Sequence, residues 1–220
     1  MEPTLTFFSG FGINDFWFLG EAAMRTMWIS ILSITLGTLF GVLFGWILYE
    51  GKLTAALTVA PVLDVFRSVP LIIQLVLFYN FAPIVGLNLD AFASGVAILT
   101  IYAAALVANV ARGGIEAVDR SMRRASRSLG MTYWQDLRYV VLPIGGRAVF
   151  PAWVGVALGV MKDSALVSVL GYVELLKASQ ILITRTQEPF LILSIAGAFY
   201  FALSFPISRY AASLEKRWAQ

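Results

Sequence analysis

The sequence predicts an all-α integral membrane protein of about five transmembrane helices, with a polar helix-turn-helix loop between the third and the fourth. Three observations lead there. The 220 residues are 59% hydrophobic and 13% charged, with a mean hydropathy of +0.81, too apolar and too sparsely charged for a water-soluble domain. The apolar residues fall into runs, most of them long enough to cross a hydrocarbon core of about 30 Å. Seven of the sixteen Lys and Arg lie between Arg112 and Arg147, against three acids there, Glu116, Asp119 and Asp136. A loop so rich in arginine is expected on the cytoplasmic side.

The start, Met1 to Ala23, mixes Phe7, Phe8, Phe11, Phe16, Trp17 and Phe18 with Glu2, Asp15 and Glu21, and has no Lys or Arg before Arg25. That composition fits an interfacial stretch on the outer side. Spans are expected over residues 26–49, 55–83, 91–111, 143–161 and 190–210. The first is uncharged, and along it Ser33, Gly37, Gly41 and Gly45 recur every fourth residue. Such a small-residue ridge lets a helix approach closely, either within the chain or between two subunits. The second contains Asp64 and Arg67 three residues apart. Charges at that depth are costly unless paired or near water, so the two either pair or belong to a transport path, and Pro70 ends or kinks the helix just after them. The third bears Tyr102 and Asn109. The fourth is followed directly by Lys162 and Asp163, and then by an amphipathic stretch, Ser164 to Ile183, with Glu174, Lys177 and Gln180, expected to dip into the bilayer from outside. Pro206 is expected to interrupt the fifth, and Arg209, Lys216 and Arg217 close the chain in the cytoplasm. Five spans put the N-terminus outside and the C-terminus inside. With no internal repeat, linker or low-complexity segment, residues 1–220 read as one domain.

The loop, residues 113–143, has the chemistry of two short helices. In the first, Glu116 with Arg120 and Asp119 with Arg123 stand four apart in the favourable acid-before-base order, and Arg123, Arg124 and Arg127 crowd the carboxyl end, where the helix dipole favours cations. Gly130 suits the left-handed residue past a helix end. Thr132 followed by Gln135 forms a capping box that starts a second helix, and Pro143 is expected to stop it.

This loop resembles the cytoplasmic loop of permease subunits of ABC importers. Ala125 and Ser126 fill that pattern's pair of small residues, Gly130 its glycine, Val140 its apolar position, and Leu142 with Pro143 its ending. Arg124 departs from it, standing where the family usually has Glu. The stretches VFRSVPLIIQ (Val65 to Gln74), ARGGIEAV (Ala111 to Val118), LGMTYWQDLRYVVLP and KDSALVSVLGYVELL (Lys162 to Leu176) resemble, in order, the polar amino-acid uptake branch. The resemblance implies a type I ABC importer permease fold that pairs with a second permease chain, identical or homologous, within the lipid bilayer of the bacterial inner membrane. It also implies two ATPase subunits docked on the loop and an extracytoplasmic solute-binding protein that delivers a polar amino acid. Residues expected to couple to the ATPase are Arg123, Arg124, Ala125, Ser126, Gly130, Met131 and Thr132. Polar residues expected along the substrate path are Asp64, Arg67, Asn109, Lys162 and Asp163, although Asn109 and Asp163 also suit a capping or interhelical hydrogen bond.

The residues exclude other chemistry. Without Cys or His there is no disulfide, no sulfur or imidazole ligand for zinc and no Ser-His-acid triad. No Walker phosphate loop is present, so the chain is expected to be no enzyme and any ATP, with its Mg, is bound by a partner subunit. The net charge of +3 lies where bilayer topology wants it, which argues against nucleic acid. The first apolar run lacks the basic leader of a cleavable signal peptide. A self-contained channel or secondary transporter is a second reading, against which stand five spans and no inverted repeat. A membrane scaffold that binds a cytoplasmic partner is a third.

Overall fold

The computed structural model describes residues 10–218, and Glu2, Phe7 and Phe8 of the expected interfacial stretch lie outside them. Helix α1 (Ile13–Glu50) begins well before Thr26, and at 38 residues it is about 57 Å long. Its early charges do not end it because each finds a partner. Asp15 accepts from the Gly12 N–H at 2.8 Å and from Arg185 at 2.5 Å, and Glu21 pairs with Arg25 one turn on. The expected interfacial stretch is therefore, from Ile13 onward, the first turns of this helix.

Pro70 breaks the second span as expected, leaving α2 (Lys52–Ser68) and α3 (Leu71–Phe81) bent by 105°. The Phe66 carbonyl would have bonded the N–H that Pro70 lacks. Gln74 replaces that donor, its side-chain nitrogen reaching the Phe66 and Val69 carbonyls at 2.9 and 2.7 Å. A turn of 3₁₀ helix follows and ends at Gly86, with φ +86°. Helix α4 (Ala91–Glu116), capped by Asp90 on the Ala93 N–H, is buried against α1. The ridge of α1 makes that contact: a β-carbon at Gly37 would lie 2.5 Å from Ala103, and one at Gly41 2.6 Å from Val107. The small residues thus serve packing within the chain.

Helices α5 (Arg120–Ser128) and α6 (Tyr133–Asp136) form the loop, and α7 (Leu142–Asp163) follows. Pro143 does not stop the helix. Between α6 and α7 the backbone widens into one π turn, in which the Leu142 N–H reaches back to the Leu137 carbonyl. The extra residue takes up the misfit that the proline ring would otherwise create. After a 3₁₀ segment over Ser164–Leu170 comes α8 (Leu175–Thr186), and α9 (Pro189–Trp218) closes the fold. Pro206 sits inside α9 without interrupting it, since one missing bond in thirty residues leaves the rest of the ladder intact. Among the described residues four helices are long and apolar enough to cross a membrane, and the bent α2–α3 pair makes up to five. Leu19, Ala22, Leu175, Leu182 and Ile192 join α1, α8 and α9 in one core, while Ile29, Leu75, Leu99, Val160 and Val167 form another.

Candidate functional site: the polar projection

The projection is built from turns whose chemistry the sequence specifies. Asp119 caps α5 by accepting from the Ser121 N–H at 2.7 Å, and that backbone bond holds its carboxyl below the ordinary value. Helix α5 ends in a Schellman motif. The Gly130 N–H bonds the Arg127 carbonyl at 3.0 Å and the Met131 N–H the Ser126 carbonyl at 3.2 Å, while Gly130 takes a φ of +83°. Thr132 and Gln135 then close the expected capping box of α6. Leu129, at the turn between the two helices, is 84% exposed.

The expected ion pairs of the loop do not form. Helix α4 ends at Glu116 and α5 starts at Arg120, so four-residue spacing no longer means a shared face. Glu116 turns back to Arg112 at 2.8 Å, and Asp119 is used as a cap. Arg123 instead donates to Asp136 at 3.0 Å and to the Tyr49 hydroxyl at 2.8 Å. Asp136 is buried, and its other oxygen lies 2.5 Å from the Ser126 hydroxyl. Burial alone would push the Asp136 carboxyl up; the Ser126 hydroxyl and the Arg123 guanidinium outweigh it and hold it below the ordinary carboxylate value.

Of the expected coupling residues, Arg124, Ala125, Gly130 and Thr132 are exposed, Met131 is half-buried, and Ser126 faces inward to join α5 to α6. Arg120, Arg123, Arg124 and Arg127 line one cleft of about 720 Å³ with Tyr49 and Asp136, a strongly cationic face. The end of α1 also supports the projection, since the Tyr133 hydroxyl accepts from Trp46 at 2.8 Å and donates to Glu50 at 2.7 Å. The sequence pattern did not show these long-range partners. The one local signal was Asp136, a lone acid within the second, arginine-bearing helix.

The expected path residues lie on three helices, Asp64 and Arg67 on α2, Asn109 on α4, and Lys162 and Asp163 at the end of α7. Arg67 pairs with Asp64, the pairing alternative of the two. Asn109 is exposed on α4. Asp163, half-buried, provides no side-chain cap to the segment after it, and among the described residues it forms no ion pair with Lys162. A cavity of about 360 Å³ beside Lys162 is walled by Ala165, Tyr200, Phe201 and Ser204. Glu174, expected only as one polar residue of an amphipathic stretch, proves to be the centre of a buried cluster. It is fully buried at the head of α8, where it accepts from the Leu176 and Lys177 N–H groups at 2.9 and 2.8 Å and has Thr26 at 3.4 Å and Tyr200 at 3.2 Å.

Known proteins resemble this chain in sequence and fold. Residues 33–220 match the family described as binding-protein-dependent transport system inner membrane component. The probable glutamine ABC transporter permease protein of Bacillus subtilis (strain 168) is 29% identical over 205 residues, which cover 91% of this chain and 93% of that protein. The glutamine transport system permease protein of Escherichia coli (strain K12) is 29% identical over 199 residues, or 90% and 91%. A crystal structure of an amino acid ABC transporter with histidines superposes with a TM-score of 0.82 at 32% identity, covering 91% of this chain and 94% of that one. An inward-facing methionine ABC transporter shares the fold, with a TM-score of 0.80 at 21% identity over 94% and 99%. Matched from the glycine ridge through the projection to its last residue, the chain belongs to the family of inner membrane components of binding-protein-dependent transport systems.

Proposed function

We propose that this chain is the permease subunit of an ATP-driven importer of a polar amino acid, that two permease chains pair around the path, and that two separate ATPase subunits dock on the projection. The projection then lies in the cytoplasm, with the N-terminus outside and the C-terminus inside. ATP and Mg belong to the ATPase subunits, and an extracytoplasmic binding protein delivers the solute. The observation that carries this reading is the two-helix projection, with its Schellman turn at Gly130 and its cationic cleft, in a chain of this family. The amino-acid class follows from similarity to glutamine permeases and to an amino acid transporter structure. Within the membrane, Asp163 and Asn109 are the polar groups proposed to meet the zwitterion.

A β-carbon at Gly130 meets open space in the chain itself but incurs a left-handed backbone penalty of about 1 kcal/mol or more. Gly130→Leu should insert normally yet abolish uptake, through loss of the ATPase or through hydrolysis no longer linked to transport. Co-purification and uptake by membranes test this. A Gly130→Leu transporter that keeps its ATPase and imports at the wild-type rate would remove the projection from the mechanism.

A further inference from the structure

The chain joins the projection to the spans at two points, a turn before α5 and a helix that runs on from α6 into α7 through one π turn. Ala117–Asp119 is a turn between α4 and α5, and the π turn at Leu137–Val141 lies between α6 and α7; such interruptions are places where a helix yields. Contacts outside these two joints add to what fixes the angle of the projection. Trp46, Tyr49 and Glu50 stand three and four residues apart, on one face of the last turn of α1, and all three meet the projection. Tyr133 is the centre of that contact. Its hydroxyl accepts from the Trp46 indole at 2.8 Å and donates to Glu50 at 2.7 Å, while Arg127 lies over its ring and Trp134 meets its edge. Tyr49 adds a second link by accepting from Arg123, which also holds Asp136. The helix that receives these bonds is unbroken, and its ridge is locked on α4.

We infer that Tyr133 is a positioning residue for transport, clamping the projection to the end of α1 so that its movement passes into the α1–α4 pair instead of being lost at the two turns. The inference rests on the proposed reading of the projection as the docking element. It places the coupling step on a side-chain contact distant in sequence, between residues 46–50 and 133, and predicts that transport and ATP hydrolysis separate when that contact is cut.

The test uses the complete complex with its ATPase subunits and binding protein, reconstituted in liposomes. The probe is whichever radiolabelled amino acid, from a panel beginning with glutamine and histidine, the wild-type complex accumulates. Tyr133→Phe keeps the ring and its stacking but removes both hydroxyl bonds. It should be recovered with its ATPase, hydrolyse ATP at no less than about half the wild-type rate, and import about tenfold less solute per ATP, the scale set by losing bonds to a charged group. Glu50→Gln retains an acceptor oxygen and should import close to wild type, whereas Glu50→Ala should behave as Tyr133→Phe does; a general packing role would not separate these two. An unchanged ratio of solute to ATP in both Tyr133→Phe and Glu50→Ala would overturn the clamp. So would loss of the ATPase from Tyr133→Phe, which would make the tyrosine a docking contact. Gly130→Leu measured alongside keeps the two ideas apart. If it fails while Tyr133→Phe is normal, only the clamp falls, and if it imports normally the docking reading falls first.

Discussion

Asp136 in the projection and Glu174 among the spans are 1% and 0% exposed, yet the protein accommodates them in opposite ways. Asp136 has a cation. Arg123 holds one oxygen and Ser126 the other, and the guanidinium side chain, 16% exposed, keeps some access to water. Glu174 has no cation on it among the described residues, and its oxygens are met instead by two backbone N–H groups and the Thr26 and Tyr200 hydroxyls. A buried carboxylate must have its lone pairs answered, but a second ion brings a desolvation cost of its own. Where water is near, that cost is partly avoided; in the packed centre of the spans, neutral donors do the work. The reach of the two acids differs as well. Asp136 ties together two helices of one projection, whereas Glu174 caps α8 and fastens it to α1 and α9.

The larger break should come at Glu174. Glu174→Ala strips the acceptor from two N–H groups and the Tyr200 hydroxyl, leaves Thr26 only the Ala22 carbonyl, and opens a cavity, so it should destabilise the chain by on the order of 4 kcal/mol. Thermal unfolding in detergent and yield from membranes read this out. Glu174→Gln keeps one acceptor oxygen and should recover roughly half of the loss. A wild-type midpoint for Glu174→Ala would show that the four donors find other acceptors and that the cluster does not hold α8 in place.

Asp136→Ala should act locally. Arg123 retains Tyr49 and some water, so the loss is about 2 kcal/mol, below that of a fully buried pair. The arginines of α5 make this measurable with trypsin, whose cleavage follows local opening. Cleavage between Arg120 and Arg138 should rise about thirtyfold in Asp136→Ala and stay near wild type in Glu174→Gln. Equal cleavage in the wild type and Asp136→Ala would mean that α5 and α6 are held together by something other than this acid.

What the sequence revealed of this design divides along the same line. Features decided within one turn of chain were legible: the apolar runs, the break at Pro70, the left-handed Gly130, the Thr132–Gln135 box. Features that needed a partner elsewhere were not. Glu116 and Asp119 stood at helix-pair spacing to Arg120 and Arg123, but the chain turns between Glu116 and Arg120, and the Asp119 carboxylate is spent capping α5. Asp15 and Glu21 looked like the marks of an interface, and pairing with Arg185 and Arg25 let α1 run through them. Pro143 looked like a stop because the π turn that accommodates it carries no signature of its own. Glu174 looked like one polar residue of an amphipathic segment, since its donors Thr26 and Tyr200 lie 148 and 26 residues away.

The smallest effects separate the two solutions most sharply, because each removes a single hydroxyl from one carboxylate. Tyr200→Phe takes from Glu174 one of four neutral donors, and none of the remaining three can supply a full charge, so the loss should be about 1 kcal/mol. Ser126→Ala takes a hydroxyl from Asp136 but leaves Arg123 in place, and the bond it removes is the shorter one, 2.5 Å against 3.2 Å. Bond length alone therefore ranks Ser126→Ala as the more damaging, whereas charge compensation ranks Tyr200→Phe first. We expect the second order, with Ser126→Ala costing about 0.5 kcal/mol and scarcely changing tryptic cleavage of the projection. Midpoints of thermal unfolding for the two variants, taken in the same detergent, decide between them. If Ser126→Ala proves the more destabilising, Asp136 depends on its hydroxyl and not on its arginine, and the contrast between an acid paired with a cation and one met by neutral donors collapses.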